Sequence, residues 1–93
     1  MEPSTQLLDS MEKLLRRDYT ETRLISVGQR AAAMLQEKDE NGEKISSLYH
    51  PDVKQSLQTI RRFWKNNQLT EHYWNKMTNH YNKIAVLLGR HTL

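Results

Sequence analysis

Trp74, Met77, Tyr81, Ile84 and Leu88 follow one another at steps of 3, 4, 3 and 4 residues, which puts an unbroken apolar stripe along one side of a helix. The same spacing recurs along most of the chain. Leu7, Leu8, Met11, Leu14 and Leu15 form one stripe, and Leu24, Val27 or Gly28, Ala31, Met34 and Leu35 form a second. Val53, Leu57, Ile60 and Trp64, at steps of 4, 3 and 4, form another. No segment shows the period-two alternation of a half-buried strand. The pattern predicts an all-α chain.

Start and stop signals divide this pattern into a small four-helix bundle, with helices over about 4–17, 20–38, 51–66 and 70–89. Ser4 or Thr5 caps the first helix, and Arg16 and Arg17 complement the negative end of its dipole. Asp18 and Glu21 have capping-box spacing, with Thr20 as the alternative cap. No proline or glycine forces a break there, so one continuous helix over 4–38 is the competing reading. Gly28 and Ala31–Ala33 are small enough to admit another helix closely. Lys38–Lys44, a charged run around Asn41-Gly42, reads as a loop, and Ser46–His50 as a short turn. Pro51 suits the first position of the third helix, with His50 as its cap. Thr70 caps the fourth helix and Gly89 ends it. Because the connection between the last two helices is short, they should form an antiparallel hairpin.

Ninety-three residues, 37% of them apolar, supply one domain over 1–93 with a single modest core. A deep catalytic cavity does not fit beside it. The absence of cysteine removes disulfides, zinc–thiolate sites and thiol nucleophiles. Gly28, Gly42 and Gly89 stand apart, so no loop cradles a phosphate, and no cofactor is expected. His50, His72, His80 and His91 lack the i, i+3 or i, i+4 partners of a helical metal site, so no metal is expected either. Glu37, Asp39 and Asn41 fall in an EF-hand register, but Leu48 occupies the position of the bidentate glutamate. Ser46 and Ser47 lie near His50, yet no oxyanion hole is defined, so no catalytic residue is assigned and the chain is read as a non-enzyme. Met1–Thr5 is polar with no apolar run behind it, and no apolar stretch approaches the length of a membrane span. The expectation is an intracellular, cytoplasmic protein without a membrane partner.

Charge is unevenly divided. Residues 1–50 hold 7 Lys/Arg against 9 Asp/Glu, whereas residues 51–93 hold 7 against 2. The basic half also holds Phe63, Trp64, Tyr73, Trp74 and Tyr81, five of the seven aromatics. Such a surface suits an acidic ligand. The expected function is that of a regulator, inhibitor or adaptor that docks onto an acidic protein surface. The expected contacts are Arg61, Arg62, Lys65, Lys76, His80 and Lys83, with Phe63 and Tyr73 as apolar anchors. Two alternatives remain open. One is nucleic-acid binding by the same hairpin, through phosphates and base edges. The other is a homodimer packed along the stripe of the first helix.

Overall fold

The computed structural model describes residues 3–36, 42 and 50–93. Four helices follow in order: α1 (Pro3–Leu15), α2 (Glu21–Gln36), α3 (Pro51–Lys65) and α4 (Glu71–Leu87), with no strand among the described residues. The all-α four-helix fold expected from the periodicity is the fold observed. The Lys38–Lys44 loop, the Ser46–His50 turn and the EF-hand register lie outside the described residues, apart from Gly42 and His50.

Local chemistry explains the ends except at the start of α1. That helix already includes Ser4 and Thr5, so neither is its cap, and the buried Ser4 Oγ has no hydrogen-bond partner among the described residues. Residues 16–20 leave the helix, so α1 and α2 are separate. Thr20 rather than Asp18 caps α2, its Oγ1 accepting from the Arg23 N–H at 3.1 Å. His50 caps α3 through Nδ1, which accepts from the Asp52 N–H at 3.2 Å, and Pro51 fills the next position. Thr70 is the backbone N-cap of α4 but makes no side-chain capping bond. Both α3 and α4 end in the same left-handed turn. Asn67 (φ 57°) lets the Gln68 N–H reach the Phe63 carbonyl at 2.8 Å, and Gly89 (φ 69°) lets the Arg90 N–H reach the Ala85 carbonyl at 2.8 Å.

The helices pack in chain order. α2 packs most extensively on α3 and then on α1, α3 packs on α4, and α1 touches α4 lightly. Leu8, Met11, Leu24, Val27, Met34, Val53, Leu57, Ile60, Met77, Tyr81 and Ile84 are buried in the shared core. Leu8, Met11 and Leu15 are therefore covered by this chain itself, which removes most of the stripe on which a homodimer was expected to form. Gly28 sits against Trp64: a Cβ placed there would lie 2.2 Å from Trp64 Cβ. Close approach of α2 and α3 thus needs the bare backbone that Gly28 supplies.

Polar ties fasten the outer elements. Arg30 Nε donates to Ser10 Oγ at 2.6 Å across α1 and α2, and the Tyr19 hydroxyl donates to the Leu69 carbonyl. Arg90 forms an ion pair with Asp9 and lies 3.6 Å from Glu12, joining the end of α4 to α1. Glu12 also accepts from Arg16 at 2.7 Å. That hydrogen bond, with the charges of Arg16 and Arg90, outweighs desolvation and holds the Glu12 carboxyl below its ordinary 4.5. A carboxyl whose pKa is lower folded than unfolded adds stability above the unfolded value and loses it as pH falls through the folded one. Acid unfolding below pH 4.5 should therefore be shallower in Arg16→Ala than in the parent chain. Urea melts over a pH series check this; identical acid limbs would contradict it.

Candidate docking surface

The expected contact residues come from α3 and α4, and helix geometry separates them into two groups. On the outer side of α3, Gln58, Arg61, Arg62 and Lys65 line a shallow hollow. The Lys65 ammonium lies 5.0 Å from the centre of the Trp64 ring, a cation–π contact. On α4, Lys76, His80 and Lys83 succeed one another at steps of 4 and 3, so they share one side of that helix.

His80 is where the two helices' charges meet. It is partly buried, with its ring 6.1 Å from that of Phe63 and its Nδ1 buried without a hydrogen-bond partner. Burial pushes its pKa below the usual 6.5, and the charges of Lys83, Lys76 and Arg62 push it the same way. Arg62 belongs to α3 and the two lysines to α4, so one positive field spans both helices around this imidazole. None of Arg61, Arg62, Lys65, Lys76 and Lys83 forms an ion pair among the described residues.

The expected apolar anchors need correction. Phe63 is 7% exposed and belongs to the core. Its ring packs against Tyr73 at 5.0 Å, so it cannot present a face to a partner. Trp64, placed by its spacing on the buried stripe, is only partly buried. The reason is that α3 packs on α2 and α4 together, which widens its buried arc toward Ser56 and Phe63. Tyr73 is half-buried. Its hydroxyl accepts from Gln68 Nε2 at 2.8 Å, and Phe63, His72 and the Lys76 ammonium surround its ring.

The exposed large apolar side chains are instead Val86 and Leu87, 68% and 44% exposed, which the sequence reading did not single out. They line a groove of about 600 Å³ between α3 and α4, together with Asp52, Gln55, Ser56, Thr59, Asn79, His80, Asn82 and Lys83. A signal was present: both are apolar yet lie off the stripe that ends at Leu88. The side of Asn82 is fixed by residues 90–93 folding back, its Oδ1 accepting from the Leu93 N–H at 2.7 Å.

Among the described residues no three His, Asp, Glu or Cys side chains gather where a metal ion would be held, and no helix is long and apolar enough to cross a membrane. Among the described residues the arrangement offers cations, amides and apolar contact. Compared with protein-family models, curated proteins and solved structures, the chain matches none.

Proposed function

We propose that this chain is a non-enzymatic docking protein, a regulator, inhibitor or adaptor, whose α3–α4 face captures an acidic surface of a partner protein. The observation that carries the reading is the run of Lys76, His80 and Lys83 along one side of α4, with Arg62 adding its charge from α3, all three cations without ion pairs among the described residues. Like charges held together repel one another, and an acidic partner relieves that repulsion while the field speeds its encounter. Val86 and Leu87 beside these cations supply the apolar contact that a protein partner uses. The absence of cysteine from the sequence suits work in the reducing cytoplasm.

Nucleic-acid binding is the second reading, since the same cations would meet phosphates. It draws less support. A phosphate backbone makes no use of Val86 and Leu87, and the Tyr73 ring, already packed by Phe63 and His72, offers little face for stacking. Capture from native lysate with the chain immobilised separates the two. A nuclease-resistant protein lost when Arg62, Lys76 and Lys83 are changed to Glu supports protein docking. Capture abolished by nuclease, or indifferent to the charge reversals, overturns it.

A further inference from the structure

We infer that the α3–α4 groove takes an acidic, amphipathic segment of a partner protein in one orientation, with its apolar anchor on Val86 and Leu87 and its carboxylates toward Lys76 and Arg62. This rests on the docking reading above and adds the class of ligand and which way round it lies.

The two ends of the groove differ chemically. The start of α3 lies beside the end of α4, so Asp52 lines the same end as Val86 and Leu87. Those two apolar side chains are left open to solvent, and covering them is favourable. A carboxylate brought to the same end meets Asp52, a like charge that disfavours it. Lys83 and then His80 follow along the groove wall, and Lys76 lies one further turn along α4. Arg62, which lines the neighbouring hollow on α3 rather than the groove itself, adds its charge from that side. No carboxylate among the described residues pairs with Arg62, Lys76 or Lys83. Carboxylates are therefore attracted at the Lys76 end and repelled at the Asp52 end, while the large apolar side chains most open to solvent among the described residues lie at the latter. Leu87 and Lys76 are separated by 11 residues of helix, about 16 Å at the helical rise. A bound segment that puts its apolar and acidic groups about 16 Å apart satisfies both ends, whether as three turns of helix or as about five extended residues. A single-stranded nucleic acid, charged at every residue, has no neutral end to lay beside Asp52.

Selection of a random 12-residue peptide library against the full chain tests this. Enriched peptides should carry Asp or Glu toward one end and a large apolar residue toward the other. The tightest of them, resynthesised, should bind at least about tenfold more weakly to Lys76→Glu and to the double variant Val86→Ser, Leu87→Ser. All three positions are exposed, so the variants keep the fold, as circular dichroism will verify. A nitroxide label on the peptide's acidic end should broaden the amide signals of Lys76 and Arg62, and one on its apolar end those of Val86 and Leu87. The reverse pattern would overturn the orientation and leave the docking surface standing. Enrichment of peptides without acidic residues would overturn both. A single-stranded oligonucleotide that binds more tightly than every selected peptide would make the occupant a nucleic acid and end the inference.

Discussion

Gly28→Ala is expected to destabilise the fold by about 2 kcal/mol, although alanine is the better helix former by about 1 kcal/mol. The added methyl would meet Trp64 Cβ at 2.2 Å and Cγ at 2.7 Å. Real Cβ atoms do not tolerate such contacts, so α2 and α3 would have to separate. These two helices make the most extensive packing in the bundle, and moving them apart loosens Val27, Ala31, Leu57 and Ile60 together. The nearest atom is the tryptophan's Cβ rather than the flexible end of its ring. Most of the penalty should therefore survive in a Trp64→Ala background, where that Cβ remains. Urea denaturation of the four members of this mutant cycle measures the effect. A penalty that vanishes with the ring would mean that the indole, not the spacing of the helices, requires glycine.

Reversing Arg62, Lys76 and Lys83 together to Glu should weaken capture of an acidic protein partner by at least about 100-fold. Single exposed charges contribute roughly 0.2–1 kcal/mol each in surface pairs. Reversal removes three attractions and installs three repulsions in one field, and slower encounter adds to the loss. Arg61→Glu with Lys65→Glu should cost less than about tenfold, because rim charges act mainly on encounter. Lys65 is already placed against Trp64, and Arg61 lines the hollow on the outer side of α3. Fold stability should move by less than about 0.5 kcal/mol in either variant, since these side chains are not core. Surface-immobilised binding with thermal melts gives both numbers. Equal losses in the two variants would place the contact on the outer side of α3 instead.

The helices were legible because their stripes, caps and breaks agree with one another. Pro51 and His50, Thr20, Gly89 and Gly28 each do in the structure what their local chemistry implies. The choice between Phe63 and Trp64 was not legible. A single 3–4 stripe assumes one seam, whereas α3 serves two neighbours and buries residues on both sides of its central row. The cations were legible as a composition, but their meeting at His80 depends on how α3 and α4 pair. Val86 and Leu87 were hidden by their resemblance to the apolar run that closes α4; they lie off its stripe, but so does Ala85, which packing buries.

The convergence of charge from two helices on one imidazole can be measured without any partner. An NMR titration should place the His80 pKa below 6.5 in the parent chain. It should rise in Lys83→Glu, in Lys76→Glu and, across the helix pair, in Arg62→Glu, each rise shrinking as salt screens the field. An ordinary His80 pKa that ignores all three substitutions would contradict the shared cationic face on which the proposed docking depends.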